Sequence, residues 1–170
     1  MRRLLLVGVL TLSAVQVSCG YRWGTTYSDD VRTVSVPIFE NDTFITGIEA
    51  DLADAIVKEI QSATPWRVTS AENADTMLSG AIQGSRLRTL STGPDTGLVQ
   101  EQALVYTVDF EWRDNRSGEL LVERTNFQAA STFIPARGDD SSPGERIELG
   151  SRAALEEMAQ RIVGELRSSW

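Results

Sequence analysis

The chain has 170 residues, 41% of them hydrophobic, which suits one domain with a genuine core rather than two. Its 16 basic residues stand against 24 acidic ones for a formal charge of −8, and Lys58 is the only lysine, so nucleic-acid binding, which needs clustered Lys and Arg, is disfavoured. Histidine is absent and cysteine occurs once, which removes Ser-His-Asp and Cys-His catalysis and thiolate metal clusters.

The first eighteen residues differ from the rest. Arg2 and Arg3 precede an apolar stretch from Leu4 to Val17, interrupted by Thr11, Ser13 and Gln16, and small residues follow at Ser18 and Gly20. This is the basic start, short apolar segment and small-residue exit of an export signal. A permanent span takes about 20 apolar residues, so the stretch suits insertion and cleavage better than anchorage. An exported protein with one cysteine has a reactive thiol, an intermolecular disulfide or a modified sulfur. Val17-Ser18-Cys19-Gly20 looks like a bacterial lipobox, in which the sulfur is acylated and the signal is cut just before the cysteine. Gln16 departs from that pattern, and ordinary cleavage leaving a free thiol is the competing reading. With about 0.8 kcal/mol per buried methylene, several acyl chains would anchor the protein durably. Residues 1–18 are thus expected to be a lipoprotein signal peptide, Cys19 the lipidation site and 19–30 a lipidated tether. Gly20 lacks the aspartate-type inner-membrane retention signal, which points to the outer membrane. Removal of the signal leaves 14 basic against 24 acidic residues, a charge of −10.

Folding is expected to begin near Val31 and to give a single domain over 31–170. Val31 to Phe39 alternates as a strand, with Val34, Val36 and Ile38 on one face and Pro37 at an end or edge. Thr46 and Glu49 have capping-box spacing, and Ile48, Leu52, Ala55, Ile56, Ile60 and Ala63 follow at helical spacing, which predicts a helix from about Gly47 to Ser62 stopped by Pro65. Trp66 to Thr69 is a short strand candidate. A longer strand runs from Ala74 to about Leu90, in which Gly80 and Gly84 signal close backbone approach or a bulge. Thr92 to Gly97 is a loop by composition.

Val99 to Arg113 is the clearest strand, with Leu104, Tyr106, Val108, Phe110 and Trp112 on one face and Thr107, Asp109, Glu111 and Arg113 on the other. Asp114 to Gly118 supplies a hairpin turn, and Glu119 to Phe133 returns antiparallel. After a polar loop from Pro135, Ser142 and Glu145 repeat the capping-box spacing and Pro143 takes the first helical position. The stripe Ile147, Ala154, Leu155, Met158, Ile162 and Leu166 then marks a second long helix. The expected fold is α+β: a two-layer sandwich with two long helices on one face of a mainly antiparallel sheet of about four strands.

Carboxylate pairs exist at Glu49 and Asp51, Asp139 and Asp140, and Glu156 and Glu157, but each lies on a predicted helix or loop where solvation suffices, so no catalytic residue is assigned. No metal site or cofactor is expected. The aromatic-rich face from Tyr106 to Trp112 reads as core under the helices more readily than as a ligand cavity. Arg86 and Arg88 end the long strand on one face and flank Leu87, with Leu90 next. They are either arginines snorkelling at a strand end or an amphiphilic patch meeting acidic head groups while the leucines touch acyl chains.

Several local patterns coincide: Cys19-Gly20-Tyr21 with Gly24 nearby, Val34-Ser35-Val36-Pro37-Ile38-Phe39-Glu40-Asn41, Gly47-Ile48-Glu49 opening a helix, and Ala74-Asp75 with Leu78 and Gly80. In that order and spacing they resemble the LptE family, lipopolysaccharide-assembly lipoproteins of the outer membrane. The resemblance implies a non-enzymatic plug inside the large outer-membrane β-barrel LptD, one that assists barrel assembly and helps lipopolysaccharide reach the outer leaflet. Its partners would be LptD, lipopolysaccharide and, through the lipid anchor, the membrane, with Arg86 and Arg88 as candidate lipopolysaccharide contacts. The alternative is an envelope lipoprotein that regulates a protein partner, such as a peptidoglycan synthase activator, or a secretion-pore subunit.

Overall fold

The computed structural model describes residues 31–95, 97–135 and 143–169. The signal peptide, Cys19 and the tether lie outside them, as do Asp139, Asp140 and Ser142. In chain order the elements are β1 (Thr33–Ser35), β2 (Glu40–Asn41), α1 (Ile48–Ala63), β3 (Arg67–Val68), β4 (Thr76–Thr92), β5 (Val99–Asp114), β6 (Leu120–Phe133) and α2 (Pro143–Ser168).

The α+β class with two helices is as expected, but the sheet differs from a mainly antiparallel one of about four strands. It has six strands in the order β3-β1-β4-β5-β6, with β2 also on β4. It is mixed: β4, β5 and β6 form an antiparallel meander, whereas β1 runs parallel to both β3 and β4, and β2 runs parallel to β4. β1 and β3 fall within segments expected to be strands; the unexpected one is β2, only two residues long and too short to show a period, and parallel pairing leaves no local trace in sequence.

The long strands follow their alternation. Leu104, Tyr106, Val108, Phe110 and Trp112 of β5 are buried, joined by Leu78 and Ile82 of β4 and Val122 and Ala129 of β6. Both helices cover that face: Leu52, Ile56 and Ile60 from α1 and Leu155, Met158, Ile162 and Leu166 from α2 enter the same core. Burying such side chains stabilises by roughly 1.5–3 kcal/mol each. Trp66 and Trp112 meet at 5.3 Å between ring centres, and Phe110 meets Phe127 edge-on at the same separation. The aromatic face is therefore core.

Two expectations fail at the first strand and first helix. Pro37 splits the strand expected from Val31 to Phe39. Between the pairs Ser35–Met77 and Glu40–Ala81 this segment uses one residue more than β4, so its alternation inverts. Ile38, expected on the face of Val34, is consequently 66% exposed, and Phe39 is 3% exposed. At α1, Thr46 is not the cap. Gly47 holds that position with φ of +94°, a conformation that glycine adopts without strain. The Gly47 N–H instead donates to Glu49 Oε2, two residues on, at 3.0 Å.

The glycines of β4 separate into the two roles expected of them. A Cβ at Gly80 would lie 2.3 Å from the Asp109 carbonyl oxygen and 2.6 Å from the Phe39 ring, whereas Gly84 has open space and sits just past a register shift after Ile82.

Candidate functional site

Conserving the chain's own order, the residues singled out by sequence fall into three groups. The first holds the fold together. Asp75, at the mouth of β4, accepts hydrogen bonds from the Arg32 and Thr33 N–H groups at 3.1 and 3.0 Å and from Thr33 Oγ1 at 2.8 Å. Arg116 from the β5–β6 turn closes on its other oxygen. The Thr33 hydroxyl bond first, then the two backbone donors and the Arg116 charge, hold the Asp75 carboxyl below its usual range against the opposing effect of burial. Asn41 is the second such centre. Its Nδ2 donates to Ile45 O and Glu49 Oε2, both at 2.7 Å, and its Oδ1 accepts from Thr43. Backbone and Asn41 hydrogen bonds lower the pKa of Glu49, which sits in the first turn where a negative charge also favours the helix dipole. Thus Asn41, Gly47, Glu49, Asp75 and Gly80, all in the patterns quoted above, are architectural. Sequence gave no hint of the Asp75 latch because its partners are more than forty residues away.

Tyr106 was expected in the core, but its hydroxyl has a role that alternation does not show. It shares a 2.7 Å hydrogen bond with Ser151 Oγ, tying β5 to α2, and burial raises its pKa. Nearby, the first turn of α1 and residues 147–152 of α2 line a cavity of about 410 Å³ that includes Ile45, Ile48, Asp51, Ile147 and Arg152.

The second group lies on the distal half of β4. Arg86 and Arg88 are exposed and pair with Val105 and Ala103 of β5, on the sheet face opposite the helices. Those partners are only 6% and 5% exposed, although both helices pack on the other face. Leu87 pairs with Leu104 and so faces the helix side, where it is exposed. The pleat therefore keeps Arg86 and Arg88 on one face of the strand and turns Leu87 to the other. Leu90, at a bulge, and Leu98, after the loop, are also exposed. The β4–β5 hairpin end is amphiphilic across its thickness.

Carboxylates form the third group. Asp51 and Glu156 both line a groove of about 570 Å³ between α1 and α2, as do Lys58 and Arg152. Glu157 is exposed on α2. On the helix-free face, Glu111 accepts from Arg113 at 2.7 Å and Asp109 accepts the Asn126 N–H at 2.6 Å. Among the described residues no group of three or more potential ligands could hold a metal ion, and no helix is long and apolar enough to cross a membrane.

No curated protein matches the sequence. The fold is similar to solved structures of a lipoprotein B from Nitrosomonas europaea (TM-score 0.53, 18% identity, 85% of this chain and 88% of that one), a protein from Xanthomonas campestris (0.54, 14%, 82% and 85%) and a minor lipoprotein from Acinetobacter baumannii (0.50, 16%, 81% and 92%). At these identities the likeness concerns the fold alone. The sequence profile of LptE, described as lipopolysaccharide-assembly, matches residues 31–168, from the start of the folded domain almost to its end. The chain belongs to the LptE lipopolysaccharide-assembly family.

Proposed function

We propose that this protein is an outer-membrane lipoprotein, anchored through Cys19 at the periplasmic face, that seats inside the LptD β-barrel, assists its assembly and helps lipopolysaccharide pass to the outer leaflet. The observation that carries this reading is the family match over residues 31–168, directly downstream of the lipobox-like Val17-Ser18-Cys19-Gly20. The domain suits the task physically. Two helices clamp one face of the sheet into a single core, leaving charged and polar side chains such as Asp109, Glu111 and Arg113 on the other, a surface compatible with a wet barrel lumen. No step needs a catalyst, and the role is that of a scaffold and lipid contact.

The lipid contact we assign is the hairpin end of β4 and β5. Arg86 and Arg88 offer charge-assisted hydrogen bonds to anionic head groups on one face, and Leu87 offers apolar surface on the other. The charge of −10 expected after signal removal opposes diffuse capture of an anionic lipid, so contact has to be local to these two arginines. Depletion of the protein from cells tests the reading. Folded LptD and surface lipopolysaccharide should fall together, and undiminished levels of both would refute it.

A further inference from the structure

Large apolar side chains gather at exposed positions around the cavity beside the Tyr106–Ser151 hydrogen bond. Ile45 before α1, Ile147 on α2 and Leu87 on β4 are each at least 44% exposed, and Phe44 is fully so. Ile45 and Ile147 line the cavity of about 410 Å³ together with Leu104, and Leu87 stands opposite Leu104 in the β4–β5 register on the same face of the sheet. Protein surfaces normally scatter such residues singly, and a group of them marks a binding site.

The lining is graded by burial. Ile48, Leu104 and Tyr106 are buried, Ile45 and Ile147 are half-exposed, and the charged residues Asp51, Glu148 and Arg152 are exposed. An apolar floor and walls thus end in a charged rim. The two hydroxyls that reach the cavity, those of Tyr106 and Ser151, satisfy each other at 2.7 Å, and the rim carries no excess of cations, so the site selects an apolar body rather than a charge. Its Ile45 wall is held in place. Asn41 Nδ2 donates to the Ile45 carbonyl at 2.7 Å, while Asn41 Oδ1 accepts from the Thr43 N–H and hydroxyl at 2.9 and 2.7 Å. A preformed wall lowers the ordering cost of binding. Since a cavity of about 150 Å³ holds benzene, about 410 Å³ has room for roughly sixteen carbon atoms, the size of one fatty acyl chain.

We propose that this cavity receives one acyl chain of a lipid, with Ile45, Ile48, Leu104 and Ile147 around the chain and Leu87 extending the apolar track along β4. The proposal deepens the lipid contact assigned above and rests on it for the source of the chain, the lipid that the family assembles. The protein's own anchor is the poorer occupant. β1 enters the sheet opposite Thr76, and Leu87 lies eleven residues further along β4, about 36 Å at roughly 3.3 Å per residue. The twelve residues from Cys19 to Val31 span at most about 40 Å, so the anchor reaches the cavity only by full extension along the sheet.

The test mixes the purified Cys19→Ser full chain, which carries no anchor, with hexadecanoic acid bearing a diazirine, below its aggregation concentration. Photo-adducts are mapped by mass spectrometry. They should fall on the tryptic peptides 33–58 and 147–152, and an excess of plain hexadecanoate should remove them. Ile45→Asp with Ile147→Asp sets two carboxylates against the chain and should lower labelling roughly tenfold, a loss of about 1.4 kcal/mol. Both positions are exposed, so the unfolding midpoint should hold, and either single variant carries the test if the pair does not fold. Leu149→Asp, at an exposed position on the same helix outside the cavity lining, should label as wild type. Arg86→Glu with Arg88→Glu should do the same, which separates failure of the head-group contact from failure of this proposal. Equal labelling of the Ile45 and Ile147 variant, an equal loss in either control, or adducts that excess hexadecanoate leaves in place would overturn the proposal. So would labelling of the mature lipoprotein far below that of Cys19→Ser, since its own anchor would then fill the cavity.

Discussion

Replacing Gly80 by alanine adds one methyl group at the most crowded point of the sheet. The new Cβ would stand 2.3 Å from the Asp109 carbonyl oxygen, 2.6 Å from Cε1 of Phe39 and 3.0 Å from the Phe110 Cα. Two of these three neighbours are backbone of the adjacent strand, so no rotamer change relieves the contact. Either β4 and β5 separate locally or Phe39, which the inversion at Pro37 drives inward, is expelled. Overpacking costs about 1–3 kcal/mol in general, and a clash against backbone belongs at the upper end. About 3 kcal/mol lowers the unfolding midpoint of a domain this size by roughly 6–12 °C. Gly84→Ala, four residues along the same strand, is the internal control. A Cβ there meets nothing within 4 Å, so it should be neutral or should stabilise by about 0.4–1 kcal/mol through the unfolded chain. Thermal and urea unfolding of both variants, followed by circular dichroism, reads the difference. Equal midpoints for the two would refute the assignment of Gly80 to close strand approach.

Asp75→Asn should cost about 1.5–3 kcal/mol at neutral pH, the usual scale for hydrogen bonds to a charged group. Because the folded-state pKa of Asp75 is lowered, its contribution is complete above the ordinary value of 3.8 and is lost as pH falls through the folded value, so the gap between wild type and variant should close in acid. A gap independent of pH would show that the charge is irrelevant to the latch. Cys19→Ser should release the protein from membranes on fractionation, and unchanged retention would refute lipid anchorage. Arg86→Glu with Arg88→Glu should reduce lipopolysaccharide binding in a pull-down while leaving the unfolding midpoint within about 0.5 kcal/mol per substitution, as surface changes do. Unaltered binding would return both arginines to the snorkelling reading.

Much of the architecture was legible because single faces are buried. β5 alternates over its full length since one side meets the helices, and the stripes of α1 and α2 name the same core from the other layer. The β5–β6 turn was legible because its chemistry is local: Asp114 Oδ1 accepts from the N–H groups of Arg116 and Ser117, and Gly118 takes φ of +73°. What escaped was non-local or very short. Pro37 was recognised as a strand terminator, yet the extra residue that turns Phe39 inward is visible only against β4. Thr46 and Glu49 met the capping-box rule while Gly47 took the cap. The alternation that puts Arg86 and Arg88 on one face was legible in sequence, and the pairing with Val105 and Ala103 keeps them there while Leu87, opposite Leu104, takes the other.

The most direct measurement of the central claim is purification of the intact protein after mild detergent extraction, with identification of what comes with it. A stoichiometric large β-barrel identified as LptD, with this domain's density inside its lumen, is the predicted result. Recovery with a penicillin-binding synthase, or as a self-assembled ring without a barrel, would contradict it.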